Sequence, residues 1–489
     1  MPSQYIVVGA GLAGLSAAEA LACPSPGQPA AIVTLIDPAP RAGGVIGTVR
    51  RNGWLVECSA DSFLAARPEG MALVLRLGLG DELLPIAPGV RRALIFRAGR
   101  TLPVPVGFRL LAPGRIDSII GSKLLSPAGK WRVLMERLIP PRAHSNAPVE
   151  DESLESFAVR RLGREAFERL VQPLVAGIWT ADPARLSMAA ACPEFWEMEV
   201  RHGSLSAGER ARLSQGNTGP EASGARYGQF VTLASGMETL VSRLAARLET
   251  AGVRRIVGTA QTLKRQPHDG WSLTVEAQTP GGVLVPPETL RAEGVVVAVP
   301  SAPAAALLTP VDQELAAHLG KIEYAGSAVV SLGFKRTDVA HPLDAAGMVV
   351  PHAEGRRALA ISFSSSKFPH RTPTGCVLVR VFLGGALDPA ANQLSDEALA
   401  ALAIGEAADL IGARGDPLLV QVNRWAKAMP QYHLGHLGRV ARIRERLQQF
   451  PGLALAGNAY EGVGIPQVIA SGQAAAARLL SAVRGKSLP

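Results

Sequence analysis

Three glycines in the pattern Gly9-x-Gly11-x-x-Gly14, with an acid at Asp37, are the residues whose types and spacing most directly imply chemistry. Gly9 permits a tight turn, Gly11 lets the backbone approach a pyrophosphate, and Gly14 lets a helix lie close to a strand. Ala10, Leu12 and Ala13 complete the loop. The helix that follows offers free N–H groups and a positive partial charge to phosphates. Asp37 stands about 20 residues beyond the glycines, where an acid takes both hydroxyls of an adenosine ribose. The unit predicts dinucleotide binding. No Ser/His/Asp triad, paired-carboxylate signature or metal spacing accompanies it. Cys23, Cys58, Cys192 and Cys376 are scattered without a CxxC pair, which points to a reducing, cytoplasmic setting and away from a disulfide framework or structural zinc.

The elements that must position these residues are legible at both ends of the chain. The run Tyr5–Val8 is apolar without interruption, as in a strand buried on both faces. It feeds an Ala/Leu-rich helix, and a second strand, Ala31–Ile36, delivers Asp37. Arg41, Gly43 and Gly44 follow at a spacing typical of FAD enzymes, where they extend the cradle around pyrophosphate and flavin. Gly53–Phe63 reads as a strand entering a polar turn. Near the other end, the strand Leu453–Asn458 leads through Gly462-Val463-Gly464-Ile465 into a helix over Gln467–Leu480. Such a unit aims a second helix N-terminus at one spot, as needed to stabilise negative charge on a reduced flavin's pyrimidine ring.

Between these ends the pattern predicts a helix over Glu69–Leu77 and strands or an extended crossover over Arg91–Pro105. Phe108–Ile139 has apolar residues at loosely helical intervals, read as core helices of a helical subdomain or as a membrane-facing cap admitting an apolar substrate. Pro140–Pro148 reads as a loop, and Ser153 or Ser156 caps the next helix. Arg201–Gly228 lacks an apolar period and is expected to be an exposed loop. A helix over Gly236–Leu248, strands at Val253–Gly258 and Gly294–Pro300, and a hairpin around Trp271–Val285 return to the nucleotide domain. Ala328–Phe334, Gly347–Val350 and Val377–Leu383 read as strands of a separate mixed sheet. The expected fold is mixed α/β. A Rossmann-like FAD-binding domain is assembled from 1–86, 229–300 and 436–489; the substrate domain takes 87–107 and 301–435, and the helical cap takes 108–228.

At 489 residues, 47% hydrophobic and 19% charged, the chain has the composition of a folded protein with a large core. The net charge is +9, carried by fifty basic residues of which eight are Lys. No dense basic run with interleaved aromatics occurs, which argues against nucleic acid; an anionic small substrate or an anionic membrane surface fits the charge. The apolar stretch Val295–Leu308 is broken by Pro300 and Pro303, short of the roughly 18 residues of a membrane span. The N-terminus enters the first strand directly, so no signal peptide is expected.

Further motifs lie in the interior: Gln172-Pro173-Leu174-Val175-Ala176-Gly177-Ile178, Leu186-Ser187-Met188, Phe368-Pro369-His370-Arg371, Phe382-Leu383-Gly384-Gly385, Trp425–Tyr432 and Leu455–Ile465. With these in order along the chain, the protein resembles the FAD-dependent amine-oxidase-like flavoprotein superfamily and, within it, the protoporphyrinogen oxidase family. That resemblance implies a six-electron oxidation of a porphyrinogen to a porphyrin in haem biosynthesis, with FAD as cofactor, O2 as acceptor and H2O2 as product. Gly9 to Gly14 and Asp37 would hold the ADP half, with Val257 beside the adenine. Ser59, Ala60, Asp61, Ser62, Trp425, Gly457, Asn458, Val463, Gly464 and Ile465 would lie near the isoalloxazine. The Gly177 carbonyl would face pyrrole N–H groups, and Val349 and Phe382 would pack on the macrocycle. The arginine expected to pair with a substrate propionate falls on Ala93; Arg92 is the chosen substitute, ahead of Arg91 and Arg97. Ser59-Ala60-Asp61 replaces a Gly-rich turn, and Ser362 replaces a bulky apolar residue. The alternatives are a coproporphyrinogen oxidase of the same family, an amine oxidase or carotenoid desaturase, and a non-catalytic lipid-binding escort. Partners implied are the porphyrinogen and O2, with peripheral membrane contact and a homodimer left open.

Overall fold

The computed structural model describes residues 2–23, 31–142, 151–214, 229–267, 270–279, 282 and 285–484. Gln4–Val8 is buried over its last four residues because it lies inside a seven-stranded sheet. Ile32–Asp37 and Gly294–Val297 flank it in parallel. Arg254–Gln266 and Leu453–Leu455 extend the parallel order on either side. One face is covered by Leu12–Ala22, Glu238–Thr250 and Ile465–Arg484. The other carries Ser301–Leu308, Gln313–Gly320 and His436–Leu447. The first and last helices meet at Gly472, where a Cβ would lie 2.2 Å from the Ala13 carbonyl oxygen.

Arg254–Gln266 runs past the parallel strands into antiparallel pairing with Gly270–Ala277, which in turn pairs with Glu288–Ala292. The hairpin expected around Trp271–Val285 is the second of these pairings, extended to Ala292, and the first adds a strand on its N-terminal side. Trp271 is a core residue between Arg265 and Ala292, and its indole N–H donates to the Pro451 carbonyl at 3.1 Å.

A second seven-stranded sheet has the order Leu419–Pro430, Tyr324–Lys335, Cys376–Gly384, Ala358–Ser362, Gly347–Val349, Ala93–Arg97 and Arg100–Pro103. The helix Asp396–Ile411 covers one face, in an apolar core that also holds Leu94, Phe96, Met348 and Val381. The opposite face meets a helical segment whose core joins Ala93, Ile95 and Val349 to Phe108, Phe157, Leu174 and Trp179.

Within that segment, Ser153 and not Ser156 caps the helix Leu154–Leu162, accepting from the Ser156 N–H. The stretch expected to be an exposed loop from Arg201 is helical through its described part: Pro193–His202 ends at Gly203, and Leu205–Ser214 follows. Residues 215–228, and most of the expected loop at 140–148, lie outside the described residues. The second helix escaped an apolar-period reading because part of its buried face is ionic. Glu209 is buried against Arg109 at 2.8 Å, and buried Glu136 accepts from the Leu205 N–H at 2.9 Å, fixing the helix start. Among the described residues, no helix is long and apolar enough to cross a membrane.

Candidate active site

The three glycines do three different jobs. Gly9 has φ +106°, and a Cβ there would lie 2.6 Å from the Ala298 carbonyl oxygen. At Gly14 a Cβ would fall 1.8 Å from the Gly9 oxygen, so only glycine lets the helix touch the strand. At Gly11 a Cβ would meet nothing within 4 Å. Gly11 is the N-cap of the helix Leu12–Ala22, and no side chain caps it, so side chains do not occupy the first N–H groups of the helix. Asp37 ends the neighbouring strand and accepts from the Ala10 N–H at 2.7 Å and the Ala39 N–H at 2.8 Å. Val257 is its cross-strand partner. A free helix N-terminus, an open glycine and an acid at the strand end fit a dinucleotide.

The second loop folds onto the first. Gly43 donates to the Ala10 carbonyl at 2.7 Å and bridges Gly11, with Gly43 and Gly44 both at positive φ. Arg41 holds this loop from within, donating to the Ile46 carbonyl at 2.6 Å and the Gly44 carbonyl at 2.8 Å. Gly47 then accepts from the Cys58 N–H at 2.8 Å, leading to Ser59, Ala60, Asp61 and Ser62. Trp425 donates its indole N–H to the Cys58 carbonyl at 3.0 Å, and Asn458 donates to the Ala428 carbonyl at 3.3 Å. Tyr432 donates to the Asn458 carbonyl at 2.6 Å and accepts from the Gly462 N–H at 2.8 Å. Gly457 has φ +136°, and a Cβ there would meet nothing within 4 Å; Gly464 and Ile465 start the final helix. Hydrogen bonds thus link the two glycine loops, Cys58, the 425–432 strand end and the 457–462 loop in one continuous series.

The wall expected to face the substrate follows from strand register. Val349 pairs with Ala360, Ala360 with Phe382, and Phe382 with Val329. Trp425 reaches the same face through Ser327, two residues before Val329. Gly177 is exposed in the last turn of the helix Gln172–Trp179, and a Cβ there would lie 3.7 Å from Val349 Cγ1. Val463 packs on the same apolar cluster as Val349. Gly177, Val349, Phe382 and the 457–465 loop therefore converge.

Arg92 does not join them. It continues the Leu94–Phe96 side of its strand, away from Val349, and its guanidinium pairs with Asp344 at the surface. Ala93 points to the Val349 side, so a one-residue displacement puts the charge on the wrong face. Arg97 does project to that side, where it donates to the Leu124 and Lys123 carbonyls. Arg91 donates to the Ile86 carbonyl. Two buried cations, Lys367 and Arg380, were missed by sequence reasoning. Arg380 sits 5.3 Å from the Phe382 ring centroid, and its only signal was a charge inside the apolar strand Val377–Leu383.

Residues 12–480 match the family model of flavin containing amine oxidoreductases, and the chain belongs to that family. It is an oxidoreductase whose cofactor is FAD. Over 481 residues it is 32% identical to the coproporphyrinogen III oxidase of Bacillus subtilis (strain 168), covering 98% of each chain. The chloroplastic protoporphyrinogen oxidase of Nicotiana tabacum is 28% identical, over 95% of this chain and 83% of that one. The solved structure of an Exiguobacterium sp. 255-15 protein assigned as a protoporphyrinogen oxidase is similar with a TM-score of 0.81 and 27% identity, over 99% of both chains.

Proposed function

We propose that this flavoprotein oxidises a porphyrinogen to the corresponding porphyrin in haem biosynthesis, with protoporphyrinogen IX as substrate and O2 as acceptor. The observation that carries the reading is the exposed Gly177 against Val349, beside Phe382 and the 457–465 loop. Carbonyls in the last turn of a helix lack partners along the helix and carry negative partial charge. Gly177 offers such a carbonyl, with no side chain in the way, to pyrrole N–H donors. Val349 and Phe382 supply apolar area for the macrocycle faces, and Phe382 suits stacking on a pyrrole ring. FAD, when bound, supplies the two-electron acceptor. The chain's part is to hold the cofactor through Gly9–Gly14, Asp37 and the loops at 41–44, 59–62 and 457–465, and to orient the macrocycle while excluding water.

Coproporphyrinogen III is the second reading, favoured by the full-length match to the Bacillus subtilis enzyme. Peripheral membrane contact belongs to the same proposal, through Ile116, Ile120, Trp131 and Leu138, all more than half exposed on the helical segment. The deciding experiment is porphyrin fluorescence on mixing the purified yellow protein, in air, with each porphyrinogen separately. Growth above the autoxidation blank with protoporphyrinogen supports the first reading, and preference for coproporphyrinogen supports the second. No growth with either would sink both.

A further inference from the structure

Through Asp61, the Ser59–Ser62 loop joins a group of buried charges to which no role has yet been given. Lys367 donates to the Asp61 carboxylate, and an Arg380 nitrogen lies 3.1 Å from it. Arg371 bonds Glu57 at 2.7 Å and the Thr232 hydroxyl at 2.9 Å. Glu57, Lys367, Arg371 and Arg380 are buried, and Asp61 nearly so. Burial opposes the ionised form of both partners: Lys367 and Arg380 still hold the Asp61 carboxyl well below its usual range, while burial pulls Lys367 below its own, with Asp61 acting against that pull. Three cations therefore face two carboxylates, an excess that is costly to bury without a partner.

An independent observation points to what completes the group. Arg380 Nε and the hydroxyls of Ser59, Ser331 and Ser362 are buried without hydrogen-bond partners. Strand register sets Ser331, Arg380 and Ser362 side by side, on the face that carries Phe382 and Trp425. Arg380 also donates to the Ser59 carbonyl. Buried polar groups of native proteins are satisfied, so this patch is built to meet something polar.

We propose that the Asp61–Lys367–Arg380 cluster is an electrostatic anchor for the flavin's electron-accepting ring, its excess positive charge favouring the reduced, anionic form and raising the reduction potential. The inference rests on the assignment of Ser59–Ser62 to the isoalloxazine. In each oxidation round the electron pair and hydrogen of one substrate C–H bond go to the flavin, which then carries one negative charge. The macrocycle releases a pyrrole N–H proton to solvent. A fixed cation beside the new charge lowers its energy without reorganisation.

The test is anaerobic reductive titration of the holoenzyme against a dye of known potential. Lys367→Met removes a cation and lowers the flavin midpoint, while Asp61→Asn removes an anion and raises it. The double variant returns toward the parent. Each single shift is expected to change the reduction equilibrium at least tenfold, about 30 mV for a two-electron couple. Arg380→Gln serves as a second cation removal, with the sign of Lys367→Met, should that variant not fold. Packing damage does not follow the sign of the charge removed, so opposite signs that cancel in the double variant identify the electrostatic role. Unmoved potentials with flavin still bound, or shifts of one sign, overturn this inference alone. A parent protein that takes up no flavin overturns the cofactor assignment as well.

Discussion

Gly11 and Gly14 stand three residues apart and are constrained by opposite things, protein at Gly14 and open space at Gly11. Gly14→Ala forces a methyl into the Gly9 carbonyl. It should lower stability by about 1–3 kcal/mol through overpacking, read as a fall in Tm with or without FAD. Gly11→Asp meets no protein atom, so the apoprotein should melt like the parent while flavin absorbance is lost; retained stoichiometric FAD would remove the loop from the cofactor site. Phe382→Ala should raise KM or lower kcat with flavin still bound, and unchanged kinetics would take Phe382 out of the substrate wall. Arg371 and Glu57 form a buried pair. Removing one partner of such a pair costs about 3–5 kcal/mol, so Arg371→Met should unfold at markedly lower denaturant.

At the scale of elements, the helix carrying Gly177 is tied to the flavin unit by ring stacking. Trp179 packs on Tyr432 at 4.9 Å between centroids, and Tyr432 stacks on His436 at 3.9 Å. A π-turn over Phe167–Val171 precedes that helix and admits Pro173, which cannot donate to a regular turn. His436 opens the helix His436–Leu447 and is fully buried. Burial pulls its pKa from the ordinary 6.5 to about 4. A base with a depressed folded value stabilises the fold above the unfolded pKa and loses that contribution as pH falls. Between about pH 7 and about pH 5 the loss at this site is about 2 kcal/mol. Denaturation of parent and His436→Phe at both values should show a shallower pH slope for the variant. A parallel slope would mean that His436 protonates without cost. The period that reveals an amphipathic helix was present at Glu238–Thr250 and absent at Leu205–Ser214, because apolar spacing cannot report a face buried through Arg109–Glu209 and Glu136.

At the scale of the whole molecule, the site exists only where the two sheets meet. Trp425 reaches Cys58, Arg371 reaches Glu57, and Tyr432 reaches Asn458 and Gly462, each crossing from one sheet's connections to the other's. The helical segment closes the Val349 face and leaves Trp131 66% and Leu138 70% exposed. If this rim rests on a lipid surface, Trp131→Glu combined with Leu138→Glu should cut co-sedimentation with anionic vesicles several-fold. A parent that does not sediment with such vesicles would dismiss the membrane contact.

The sequence by itself determined the dinucleotide unit, since Gly9, Gly11, Gly14 and Asp37 act through local backbone conformation and a spacing that one strand–turn–helix must satisfy. It likewise determined the strands at 328–334, 347–350 and 377–383, whose apolar runs leave little choice of element. Tertiary structure alone decided which strand faces turn toward the helical segment. Arg92 and Ala93 are adjacent in sequence and opposite in space, because a strand alternates its side chains and only the place of Leu94 and Phe96 in the core cluster shared with the helix Asp396–Ile411 fixes which side is which. The pairing of Asp61 with Lys367 and Arg380, some 300 residues away, is of the same kind: a long-range charge match leaves no periodic trace in the chain.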